Sequence, residues 1–118
     1  MEKLTNYFLF KPLILKTIVG YEFFECHEII RFEADRKFTL VFITNKFEPV
    51  IALNNISTIN AMLPISEFYR CHRSHIINVR HIKKFYIKGH QLIMINGNEV
   101  PVAEDKVRQF KETIFGTI

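Results

Sequence analysis

A chain of 118 residues has room for one hydrophobic core and not for two ordinary domains. With 48% hydrophobic and 14% aromatic residues and no low-complexity stretch, it falls outside the disordered class, and its longest apolar runs, such as 13–15 and 92–95, are far shorter than the roughly 20 residues a membrane span requires. The formal charge of +4 hints at a polyanionic partner, and its distribution sharpens the hint. Residues 1–60 carry seven Lys/Arg against seven Asp/Glu, residues 61–118 carry nine against five, and no acidic residue occurs between Phe68 and Asn98.

From the N-terminus, the apolar stretch 6–19 is broken by Lys11, Pro12 and Lys16 and is followed by no small-residue cleavage site, so a signal peptide is not expected and a cytoplasmic location is. Runs of Ile, Val, Phe, Tyr and Thr cut by polar turn formers predict strands over 13–19, 21–26, 29–34, 38–43, 48–52, 68–72, 82–87, 91–95 and 99–102. Between the fifth and sixth of these, Ile56, Ile59 and Leu63 fall at i, i+3 and i+7 behind Asn54 or Asn55 and ahead of Pro64, the spacing of a short amphipathic helix. Lys88-Gly89 and Asn96-Gly97 are hairpin signals, the latter suited to a type I′ turn, so 82–102 reads as a meander. Val107, Phe110 and Ile114 repeat the helical spacing behind Glu104 and Asp105, acids that favour a helix N-terminus. The expected fold is mainly β, antiparallel strands in small packed sheets with one or two short helices, forming a single domain over 1–118 with its core at about 13–114.

The stretch Phe68-Tyr69-Arg70-Cys71-His72-Arg73-Ser74-His75-Ile76-Ile77-Asn78-Val79, followed by Ile82, Lys88-Gly89 and Asn96-Gly97-Asn98-Glu99-Val100-Pro101-Val102, resembles the core signature of LytTR domains. Gly20-Tyr21-Glu22 and Ile29-Ile30-Arg31-Phe32-Glu33-Ala34-Asp35 are similar to that family's early strands. The resemblance implies an antiparallel β fold whose loops enter successive DNA grooves at promoter sites arranged as direct repeats, with a second copy on the adjacent repeat. Typical members carry an N-terminal receiver domain; 118 residues leave no space for one, which points to a stand-alone regulator that takes its signal from an unknown sensor or regulatory protein.

Carried over residue by residue, the resemblance makes Arg73 the first DNA contact, since a guanidinium offers two parallel donors to a guanine edge or a phosphate. The alternative for Arg73 is a solvated side chain or a pair with Glu67. The turn Asp35-Arg36-Lys37 corresponds to the first DNA-facing loop, with Arg36 and Lys37 as phosphate contacts and Thr39 near a reading position. At the third loop this chain departs from the family: Pro101-Val102 is followed by Ala103-Glu104-Asp105 where Ser and basic residues are usual. Phosphate repels the acids, which leaves Lys106 and Arg108 to approach DNA, and Ala103 supplies no helix cap. Arg70 completes the DNA-binding set. His72 is expected to support the Arg73 loop, Ser74 to tighten its turn, Asn78 to bond local backbone, and His75 to pack where the family has an aromatic residue. Of Arg80, Lys83, Lys84 and Lys88, alternation sends Lys83 and Lys84 to opposite faces, so two of the four would track phosphates. About six neutralised phosphates in all would give a log–log salt slope near −5.

Competing chemistries are weaker. Cys71, His72, His75, His81 and His90 crowd one region, but Cys71 and His72 are neighbours on a strand and point apart, so neither a metal site nor a nucleophile–base pair is expected. Cys26 and Cys71 are too few and too distant for a disulfide framework, and both should be reduced. Cys71 as a redox-sensitive thiol, its pKa lowered by nearby Arg and His, is the alternative to plain burial. No cofactor or catalytic activity is implied. RNA binding is disfavoured because Phe32, Phe38, Phe42 and Phe85 belong to the core rather than to a stacking surface. The main rival is a β-rich protein-interaction module that keeps the fold without specific DNA binding, a reading that Glu104-Asp105 favours.

Overall fold

The structure, a computed structural model, describes residues 11–116; residues 6–10 of the stretch weighed above as a leader lie outside that range. Its strands are β1 (Leu13–Thr17), β2 (Gly20–Phe24), β3 (Ile29–Asp35), β4 (Phe38–Ile43), β5 (Val50–Ala52), β6 (Phe68–His72), β7 (His75–Asn78), β8 (Ile82–Tyr86), β9 (Gln91–Met94) and β10 (Glu99–Pro101). Helix α1 (Ile56–Met62) follows β5, and α2 (Val107–Phe110) follows β10 after a single 3₁₀ turn and runs on into a π-helical turn, Lys111–Phe115. All strand pairs are antiparallel, in a five-stranded sheet ordered β5-β4-β3-β7-β6, a three-stranded sheet β10-β9-β8 and the β1–β2 hairpin. The mainly β, antiparallel expectation holds.

The five-stranded sheet is the middle layer. Side chains alternate across a strand, so Phe32, Val41, Phe68 and Ile76 meet Leu13, Leu15 and Phe24 of the hairpin, Ile56 and Ile59 of α1, and Leu63 just after it. Ile30, Cys71 and Ile77 face the opposite way, against Leu92, Met94 and Val100 of the meander and Phe110 of α2. Phe32 is fully buried, while Phe38, Phe42 and Phe85 are half-buried. Among the described residues no helix is long and apolar enough to cross a membrane.

Local structure differs from expectation at three places. Strand β7 was not among the predicted strands: Ile76 and Ile77 are each 0% exposed because each serves a different core, so the segment lacks the apolar–polar alternation of a half-buried strand. Asn96-Gly97 does not form a type I′ turn, which needs positive φ at both residues. Only Gly97 has it (φ 87°), and its N–H donates to the Met94 carbonyl at 2.8 Å, closing a longer loop. Lys83 and Lys84 do not split between buried and exposed faces either. A register shift between Ile82 and Lys84 interrupts alternation, and both lysines are exposed. Helix α1 begins as predicted, with the Asn55 side chain accepting from the Thr58 N–H at 2.8 Å.

Candidate nucleic-acid interface

Three segments distant in sequence meet at one end of the central sheet. The β3–β4 turn carries Arg36 and Lys37, with Arg36 in the left-handed region at φ 59°. The β6–β7 turn carries Arg73, and it is stitched to β3 where the Ala34 N–H donates to the Ser74 carbonyl at 2.9 Å. The third segment begins at Ala103, whose N–H donates to the Cys71 carbonyl at 2.9 Å. An open cleft of about 460 Å³ runs between the second and third, lined by Arg70, His72, Arg73, Ala103, Asp105 and Lys106.

The predicted residues divide into two groups there. Arg36, Lys37 and Arg73 are exposed, and no ion pair among the described residues engages them. Glu67, the alternative partner of Arg73, instead lies 3.5 Å from Arg80. The other expected contacts are committed to the protein. Thr39 is 0% exposed, and its hydroxyl donates to the Asn54 carbonyl at 2.8 Å. Its hydroxyl faces the protein and ties β4 to the approach of α1. Arg70 donates to the Arg73 carbonyl at 2.6 Å and to the Ser57 hydroxyl at 3.1 Å, and Lys106 Nζ donates to the Arg70 carbonyl at 3.1 Å. Arg108 is exposed but faces Glu112 one turn along, 3.3 Å away. Glu104 and Asp105 are exposed, and Ala103 provides no side-chain cap.

The supporting residues do more than expected. His72 Nδ1 accepts from the Ser74 backbone N–H at 3.0 Å, bracing the Arg73 turn from inside. Ser74 thus tightens the turn through its backbone. Asn78 is fully buried; its amide donates to the carbonyls of Cys26 (3.1 Å) and Ile29 (2.9 Å), and its oxygen accepts from the Arg80 N–H at 2.9 Å.

Behind the loops lies a charged cluster that residue spacing does not signal. Arg31 is 6% exposed on β3. Its guanidinium reaches Glu33 at 2.7 Å and the Asn98 side-chain oxygen at 3.0 Å, and it stacks 3.8 Å from the Phe42 ring centroid. A buried cation needs such compensation. His75 Nδ1 is buried 3.9 Å from Glu33 without a hydrogen-bond partner, and burial lowers the pKa of this imidazole. Cys71 is not an activated thiol: burial pushes it up to about 12, outweighing the lowering influence of Lys106 and Arg31. Among the described residues no three His, Cys, Asp or Glu side chains converge as a metal site would require.

The LytTr DNA-binding domain family matches residues 20–115. The chain is 32% identical over 90 residues to the transcriptional regulatory protein YpdB of Escherichia coli K12, covering 73% of this chain and 36% of the relative. It is 34% identical over 62 residues to the sensory transduction protein LytT of Enterococcus faecalis, covering 50% and 26%. The match therefore spans between about a quarter and a little over a third of the length of these curated relatives. A solved LytTr DNA-binding domain from Bacillus cereus superposes with a TM-score of 0.75 at 30% identity, over 91% of this chain and 98% of that one.

Proposed function

The chain belongs to the LytTR DNA-binding domain family, and from that premise we propose that it reads specific sites in double-stranded DNA as a bacterial transcription regulator acting in the cytoplasm. The observation that carries this reading is the exposed Arg73, in no ion pair among the described residues, at the tip of a braced hairpin and flanked by Arg36 and Lys37 on the adjoining turn. A braced turn fixes the backbone from which the guanidinium extends, and a bidentate contact to guanine contributes about 1–3 kcal/mol of base discrimination. Arg36 and Lys37 sit on the neighbouring strand pair, where they would hold phosphates and set the register. Side-by-side occupation of direct repeats brings a second copy into place without a solution dimer, and a sensor or regulatory protein supplies the signal. Neither cofactor nor catalysis is needed.

Repeated selection from a pool of random duplexes at near-physiological salt tests the reading. Enrichment of a short element, as two copies at helical spacing, is the expected result; a pool that stays random overturns it. The second reading, an interaction module with the same fold, rests on the exposed Glu104 and Asp105 at the third segment, which would repel phosphate and suit a basic protein surface. Under that reading the pool remains random.

A further inference from the structure

We infer that Arg70 is a positioning residue for Arg73 and makes no DNA contact of its own; the inference rests on the reading of Arg73 as the base-contacting side chain. The pairing of β6 with β7 is irregular: Tyr69 opposes Ile77 and His72 opposes His75, so Arg70 and Cys71 share the space of one partner residue. A bulge of this kind interrupts the regular ladder and bends the strand toward the hairpin tip. Beyond the Ala34–Ser74 bond to β3, the Arg70 side chain adds a tie at this bend. It curls forward to donate to the Arg73 carbonyl at 2.6 Å and sideways to the Ser57 hydroxyl on the first turn of α1 at 3.1 Å. Its Nε is buried, while the two terminal nitrogens make their bonds at the surface, beside the cleft. The bulged backbone is held from the other side as well, by Lys106 Nζ on the Arg70 carbonyl and by the Ala103 N–H on the Cys71 carbonyl. Three elements, α1, β6 and the segment entering α2, thus converge on the backbone that carries Arg73. A planar fork of fixed donors suits this task and a lysine does not.

The test measures binding of the selected duplex across a salt series for the wild type and for Arg70→Ala, Arg70→Lys, Arg73→Ala and the Arg70→Ala/Arg73→Ala double variant. Arg70→Ala should bind about tenfold more weakly, the scale of one charge-assisted hydrogen bond, with the salt slope of the wild type and with relaxed preference at the same base position that Arg73→Ala relaxes. Arg70→Lys should not restore affinity. In the Arg73→Ala background, Arg70→Ala should cost nothing further, because its effect travels through Arg73. The inference is overturned if the slope falls by about 0.9, as loss of one phosphate contact requires, if Arg70→Lys binds like the wild type, or if the full loss persists in the Arg73→Ala background. Should Arg70→Ala fail to fold by circular dichroism, the exposed Ser57→Ala takes its place; a few-fold loss confined to the Arg73-containing protein supports the inference, and no loss overturns it. A wild type without sequence preference overturns specific binding itself and this inference with it, whereas the other adverse outcomes overturn the inference alone.

Discussion

Arg73 and Thr39 flank the same end of the central sheet, but burial separates their roles. Thr39 donates its hydroxyl into the protein, so Thr39→Val, nearly equal in volume, should lower stability by about 1–2 kcal/mol through the carbonyl left unpaired. Urea unfolding measures that cost, and affinity for a selected duplex should not change in the same variant. An affinity loss without a stability loss would put Thr39 back in the groove. Cys71 allows a second test at this scale. Its thiol is held protonated in the folded protein, with a pKa of about 12 against an ordinary 9.0. A folded-state pKa raised in this way contributes stability that is complete below about pH 9 and is lost as pH rises toward 12. Thermal unfolding of the wild type should therefore decline more steeply above pH 9 than that of Cys71→Ala, and maleimide at neutral pH should label the partly exposed Cys26 before Cys71. Equal alkaline slopes, or early labelling of Cys71, would show an accessible thiol.

At the scale of elements, Asn78 is a junction. It ends β7 while its amide bonds the carbonyls of Cys26 and Ile29, at the start of β3. Asn78→Ala leaves the Ile29 carbonyl and the Arg80 N–H without partners, while the Cys26 carbonyl keeps the Ile29 N–H, and at about 1 kcal/mol for each orphaned group the variant should lose about 2 kcal/mol in urea unfolding; a loss under about 1 kcal/mol would mean that water or a shifted backbone replaces those bonds. The same residue marks a boundary of what the sequence makes legible. Most strands follow from runs of β-branched and aromatic residues between turn formers, and α1 from Ile56, Ile59 and Leu63 behind Asn55. Strand β7 escapes because a strand buried on both faces has no period to detect, and Asn78 looks locally like a turn former although its partners are 52 and 49 residues away. Among the candidate site residues, the exposure of Arg73, Arg36 and Lys37 at turns was legible locally, whereas their assignment to DNA came from the family resemblance. Arg70 and Lys106 have the same chemistry and the same vicinity, and only the tertiary contacts turn them inward. The Arg31–Glu33–Asn98 cluster was not legible, since a charged residue between Ile30 and Phe32 reads as the solvent side of a strand until a second sheet is known to cover it.

For the molecule as a whole, the distribution of committed and uncommitted charge sets the strength of nonspecific attraction. Net charge alone suggests many phosphate contacts, since the second half of the chain holds the whole cationic excess. The structure engages several of those cations: Arg70 and Lys106 bond backbone carbonyls, while Arg80 and Arg108 stand in exposed pairs with Glu67 and Glu112, which hold them only weakly. Lys83 and Lys84 belong to the three-stranded sheet, not to the turns around Arg73. At the turns around Arg73, with Arg73 itself on a base, Arg36 and Lys37 remain, and two neutralised phosphates correspond to a log–log salt slope of about −1.8, against near −5 for six. Titration of a selected duplex across salt concentrations decides between them. A slope close to −5 would mean that the meander lysines also reach the duplex, and triple replacement of Lys83, Lys84 and Lys88 should then return it toward about −2. A slope near about −1.8 that is insensitive to that replacement would confine the contact to one end of the sheet, where Arg73 supplies discrimination and only two flanking cations hold the backbone.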